Sequence, residues 1–128
     1  MCDGALFCAT VRPGHAEEMA RGAVAAGFDQ IVAAGGDGTI HEVANGIGDS
    51  DVALGLMPIG TMNVFANELG LPTHDLSRCW EIIQSATYRW VDLPLANQKR
   101  FVQLAGVGLD AQVVKETSLA FKRNFGPA

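Results

Sequence analysis

Three glycines, an aspartate and a threonine stand together in "IVAAGGDGTIHEVANGI", residues 31–47, where an apolar run gives way to a helical pattern. In open α/β sheets ligands bind beyond the carboxyl ends of strands, and a helix N-terminus offers unpaired N–H groups and a positive dipole end to an anion. Gly35, Gly36 and Gly38 permit φ > 0 and a close approach of backbone N–H groups to phosphate oxygens. Asp37 is out of character for a plain phosphate cradle, because its charge repels the phosphate. A bridging Mg²⁺ or the proton of an attacking hydroxyl would offset that repulsion, which makes Asp37 a candidate phosphoryl-transfer carboxylate. The competing reading is an Asx-type turn stabiliser between glycines.

Thr39 and Glu42 carry two readings as well. Thr39 followed three residues later by Glu42 is a capping box, which satisfies two orphan N–H groups at a helix start. A functional Glu42 would instead accept hydrogen bonds from a nucleotide ribose. His41 has no paired carboxylate at metal-ligand spacing and reads as a helix-surface residue.

The elements that must position these residues follow from periodicity. "ALFCAT", residues 5–10, is a short apolar run consistent with a buried strand, as are "QIVAA" and "VALGLMP" further on. Between the first two, Ala16, Met19, Ala20, Ala23 and Val24 keep helical spacing, and Gly27 stands where a helix C-terminal glycine belongs. Between the second and third, Ile40, Val43, Ala44 and Ile47 mark another helix. "MNVFANELG" and "DLSRCWEIIQSA" continue the helical texture, the first ended by Gly70. Strands alternating with helices predict a doubly wound, mostly parallel sheet over residues 1–87. From residue 88, "YRWVDLPLA" and "RFVQLAGVGL" predict an antiparallel pair, and "DAQVVKETSLAFKR" begins one more helix.

Composition narrows the function classes. The 128 residues suit one ordinary domain, 48% hydrophobic and 18% charged, with a net charge of −5 and scattered basic residues. No basic stripe suggests a nucleic-acid footprint. Cys2, Cys8 and Cys79 follow neither a disulfide framework nor a zinc spacing, so a reducing cytosol is expected. The start lacks the pattern of a secretory signal, and no run approaches the roughly 18 to 20 apolar residues of a membrane span. Any membrane contact is therefore expected to be peripheral.

"GGDGTIHEVANGI", "LGLMPIGTMNVFANELGLP", "VDL" and "AGVGLDAQV", in that order, resemble the diacylglycerol kinase catalytic domain family, which includes bacterial lipid kinases and sphingosine kinases. The resemblance runs from about residue 10 to residue 114. It implies ATP at the glycine turn, with Gly35 and Gly36 near its phosphates and Asp37 in catalysis, either activating the lipid hydroxyl or organising Mg²⁺. It places Glu42 and Thr10 near the nucleotide, Thr61 at the phosphate end, and Asp110 at the lipid head group or in the metal network. Gly38, Thr39, Gly60 and Asn63 complete the expected nucleotide site. The second block departs from the more familiar G-T-G-N-D-F-A, with Met62 for the second glycine and Val64 for the aspartate, while Asn63, Phe65 and Ala66 keep its skeleton.

The resemblance also implies an earlier strand closing over the nucleotide and a β-rich lipid-binding domain, of which residues 88–128 would be the start. On that basis the chain looks like the middle of a lipid kinase, and an uncovered sheet edge predicts self-association. Its partners would be ATP and a lipid alcohol at a membrane surface, not nucleic acid, with the protein cytoplasmic and peripheral when acting. Two alternatives stand beside this: an NAD kinase, which shares the glycine turn, and a nucleotide-binding fragment without turnover.

Overall fold

The computed structural model describes residues 5–116. Two parallel strands, β1 (Gln30–Gly35) and β2 (Ala53–Pro58), pair in register from Gln30 opposite Ala53 to Gly35 opposite Pro58. α1 (His15–Ala25) precedes β1, and α2 (Asp37–Ile47) makes the crossover between the strands. α3 (Val64–Glu68) and α4 (Leu76–Gln84) follow β2. The chain then forms a minimal antiparallel ladder, β3 (Leu95–Ala96) with β4 (Lys99–Arg100), and ends its described part in α5 (Leu109–Glu116).

The expected faces account for the packing. Ile40, Val43, Ala44 and Ile47 of α2 are all buried, and with Ala16, Ala20, Ala33, Leu56 and Phe65 they make up most of the core. Fully burying a side chain such as Ile40 contributes about 2 kcal/mol. Leu56 joins this cluster, whereas a Cβ on its neighbour Gly55 would lie 3.2 Å from Ile83 of α4, on the strand's other side. α1 and α2 cross very closely, because Gly46 has no side chain: a Cβ there would stand 2.4 Å from the Glu17 carbonyl oxygen and 2.6 Å from Ala20 Cβ. Gly27 and Gly70, both at positive φ, end α1 and α3 as expected.

Two expectations are corrected. Residues 5–10 form no strand; they are irregular and exposed, with Leu6 74% and Phe7 93% accessible. An apolar run becomes a strand only through a ladder partner, and among the described residues β1 pairs with β2 alone. The antiparallel pair beyond residue 88 is real in direction but shrinks to two residues per strand around a turn at Asn97 and Gln98, both at positive φ. Its flanks alternate poorly and find no sheet to cover, so Tyr88, Trp90, Leu104 and Val107 stay exposed. The predicted helix does begin near Asp110, as α5; the remainder of that stretch, from residue 117, lies outside the described residues.

Candidate active site

The two glycine-containing blocks meet beyond the carboxyl ends of β1 and β2. The Ile59 N–H donates to the Gly35 carbonyl at 3.3 Å, which carries the register one step past the strands. Gly36 and Gly60 then touch backbone to backbone: a Cβ on Gly60 would stand 2.3 Å from Gly36 Cα and 2.8 Å from Asn63 Oδ1. Gly35 is needed for a different neighbour, since a Cβ there would meet the Thr39 hydroxyl at 2.4 Å. Gly38 faces open space. None of Gly35, Gly36 and Gly38 uses the positive φ that glycine permits; close approach is what requires glycine at Gly35, Gly36 and Gly60.

α2 begins at Asp37, with Gly36 as its N-cap and the Gly36 carbonyl accepting from the Ile40 N–H at 3.1 Å. Thr39 is therefore already inside the helix, and the expected capping box with Glu42 cannot form. Both carboxylates of the motif instead cap other helices. Asp37 Oδ2 accepts from the Val64 N–H and Oδ1 from the Phe65 N–H, each at 3.1 Å, at the start of α3. Glu42 Oε1 accepts from the Gly14 N–H at 2.9 Å and Oε2 from the Ala16 N–H at 3.1 Å, at the start of α1. A negative charge at a helix N-terminus is favoured by the dipole as well as by the bonds themselves.

Asn63 folds the second block. In the left-handed region at φ 47°, it accepts from the Gly60 N–H at 3.0 Å through Oδ1, and Nδ2 donates to the carbonyls of Pro58 and Gly60 at 3.1 and 2.8 Å. The side chain is buried and its two donors are used within its own loop. Phe65 and Ala66 anchor α3 in the core, while Val64, where the familiar block has aspartate, presents its side chain outward and supplies only its N–H to Asp37. That departure therefore leaves the cap intact.

A small pocket of about 90 Å³ opens beside Asp37, lined also by His41 and Phe65 and, across from them, by Phe101, Val102, Gln103 and Leu104. Ligand-sized cavities run to about 300–1,000 Å³, so this one suits a single small group. Gln103 Nε2 donates to Asp37 Oδ1 at 3.4 Å. Of the other expected site residues, Thr61 is exposed on the second loop and Thr10 is exposed ahead of α1. Asp110 falls in α5, and its side chain is outside what the structure describes. The structure thus gathers Gly35, Gly36, Asp37, Thr39, Gly60 and Asn63, and turns Glu42 toward α1. Sequence reasoning missed Gln103 and Asn45, whose contacts span 66 and 55 residues and have no local signature.

Chemically, the arrangement offers a carboxylate oriented by backbone N–H groups next to two glycine loops that touch. Among the described residues no group of three or more His, Cys, Asp or Glu could hold a metal ion. Nor is any helix among them long and apolar enough to cross a membrane. Cys79 is buried and forms no disulfide, and its thiol is pushed up by burial and then by Asp75.

The model of the diacylglycerol kinase catalytic domain matches residues 6–95. A diacylglycerol kinase of Bacillus subtilis is 36% identical over 120 residues, covering 92% of this chain and 40% of its own length. A diacylglycerol kinase of Staphylococcus haemolyticus is 40% identical over 93% of this chain and 36% of its own length. A Pseudomonas aeruginosa protein named "Probable lipid kinase YegS-like" is 36% identical over 93% of this chain and 39% of its own length. The chain thus spans about two fifths of the length of these relatives.

Proposed function

The chain belongs to the diacylglycerol kinase catalytic domain family, and from that premise we propose that it carries the nucleotide site of a lipid kinase, which transfers the γ-phosphate of ATP to a lipid hydroxyl such as that of diacylglycerol. The observation that carries this reading is the backbone contact between Gly36 and Gly60, which brings the two glycine loops together next to Asp37, whose carboxylate is held by the Val64 and Phe65 N–H groups. Gly35, Gly36, Gly38, Gly60 and Thr61 flank the phosphates. Thr39 supports the first turn from below, and Asn63 acts on the nucleotide through the shape of its loop. Thr10 and Glu42 lie toward the nucleoside, Glu42 by fixing the start of α1. Asp110 is assigned to the lipid head group or the metal network on the resemblance alone.

In this reading the acceptor hydroxyl sits in the pocket beside Asp37. Its oxygen forms a bond to the γ-phosphorus as the bond from that phosphorus to the β–γ bridging oxygen breaks and ADP leaves; the hydroxyl proton passes to the Asp37 carboxylate. Catalysis is mostly positioning, since the carboxylate is already held by two backbone N–H groups. A carboxylate has about four lone-pair sites; the cap on α3 uses two and Gln103 a third, so Asp37 would offer Mg²⁺ one remaining lone pair. When bound, Mg²⁺ neutralises charge on the phosphate oxygens.

The fold reading extends in the same way. β1 and β2 are taken as part of a doubly wound sheet, supported by Leu56 and Gly55 facing helices on opposite sides, with the α/β domain spanning 1–87 and 88–128 beginning a β-rich lipid-binding domain. Exposed Leu6 and Phe7 support self-association, which light scattering checks: dimers or larger species are expected, and a strictly monomeric profile contradicts it. Action at a membrane surface from the cytoplasm follows from a lipid acceptor. The kinase reading itself is tested by offering radiolabelled ATP with diacylglycerol in mixed micelles or with NAD. Label transfer to diacylglycerol that Asp37→Asn lowers at least a hundredfold supports it; transfer to NAD, or transfer indifferent to Asp37→Asn, overturns it.

A further inference from the structure

The wall of the pocket opposite Asp37 belongs to no helix and no extended sheet; it is residues 101–104, just beyond a two-residue strand. Something must hold so short an element in place. Asn45 of α2 does so in both directions: Nδ2 donates to the Arg100 carbonyl at 2.9 Å, and Oδ1 accepts from the Arg100 N–H at 2.9 Å. This is the bond pair one strand residue offers another, made here by a side-chain amide. Nδ2 also donates to the His41 carbonyl at 2.9 Å, which ties the amide to its own helix and settles its orientation. Arg100 and Asp49 form an ion pair, and the Phe101 N–H donates to the Pro94 carbonyl at 3.1 Å, closing the hairpin behind the clasp.

Three residues past the clasp, Gln103 reaches Asp37 Oδ1 at 3.4 Å, the long end of a hydrogen bond. A displacement of the segment by a few tenths of an ångström breaks that contact. We propose that Asn45 is a positioning residue for Asp37: it clasps Arg100 so that the 101–104 wall closes the pocket and Gln103 fixes the carboxylate's orientation. Only an amide of this length supplies a donor and an acceptor to the N–H and carbonyl of one residue; aspartate offers acceptors alone, and glutamine is one methylene longer. The catalytic consequence rests on the reading of Asp37 as the reacting carboxylate, but the clasp itself is measured without turnover, so the two fail separately.

The test is solution NMR of the 128-residue chain and its Asn45→Asp variant. Exchange of the Arg100 amide is expected to rise at least tenfold in the variant. The Gln103 side-chain amide signals should move to the positions they take in Asp37→Ala, while the Ile40 and Val43 amides of α2 keep their protection. An intact α2 with Gln103 signals unmoved overturns the proposal. If Asn45→Asp loses its fold, the unsubstituted chain decides: a scalar coupling across the hydrogen bond from Asn45 Nδ2 to the Arg100 carbonyl supports the clasp, and its absence overturns it.

Discussion

Residues 15–84 and residues 88–116 are built on different physics. The first region closes on itself through buried apolar faces, with Ile40 and Ala66 completely inaccessible and three glycines letting backbones touch. The second keeps most of its large side chains outside, with Trp90 and Val107 each 90% accessible; Val102 packs against the core, and polar contacts supply the rest of the attachment: Asn45 to Arg100, Asp49 to Arg100, and Lys99 Nζ to Glu17 at 2.9 Å. Stability resides in the first region, whereas the pocket beside Asp37 needs both. A site shared in this way can lose its second wall without unfolding its first.

Substitutions in the close-packed region have the largest expected effects. Gly46→Ala forces a methyl group against the α1 backbone and is expected to cost about 1–3 kcal/mol or more, read as a lower denaturation midpoint. Asn63→Gly keeps the left-handed φ but removes the loop's buried bonds, leaving carbonyl and N–H groups unpaired. It should cost about 1–3 kcal/mol by the same measurement. Asp37→Ala removes the cap of α3 and should cost about 1 kcal/mol of stability, besides its effect on transfer.

The attached region responds more weakly. Lys99→Met breaks an ion pair at the surface and should change global stability by less than about 1 kcal/mol. Its pH signature has a definite sign. The Lys99 ammonium beside Glu17 holds that carboxyl below its ordinary range, with Arg21 adding to the effect and burial opposing it. A depressed carboxylate contributes stability that is present above its unfolded value and is lost as pH falls through the folded one. Acidification below about pH 4.5 should therefore loosen residues 95–100 before the core, seen as faster amide exchange there; equal loosening in Lys99→Met would contradict this.

What the sequence discloses follows the same division. Period and glycine punctuation locate β1, α2, β2 and α4, because each buries a face whose spacing is written locally. The run at residues 5–10 has the same local character but no ladder partner among the described residues, so its pattern misleads. Glu42 shows the limit more sharply: its spacing from Thr39 satisfies a capping box, yet the helix begins two residues before Thr39, and the carboxylate caps α1 across 26 residues. The local sequence around Asp37 reads either as a turn stabiliser or as a reacting group; the structure adds a cap on α3, a contact across 27 and 28 residues that no local pattern encodes. Long-range caps and clasps have no period, so Asn45, Gln103 and Gly46 gave no sign in one dimension.

The central claim is that the touching turns at Gly36 and Gly60, with Asp37 beside them, form a nucleotide-phosphate site. Calorimetric titration of Mg-ATP into this chain tests it most directly, in parallel with Gly60→Ala checked for retained helix content by circular dichroism. Binding with a Kd of about 1 mM or tighter, weakened at least tenfold by Gly60→Ala, is the predicted result. No heat of binding at millimolar nucleotide, or binding that Gly60→Ala leaves unchanged, would contradict it.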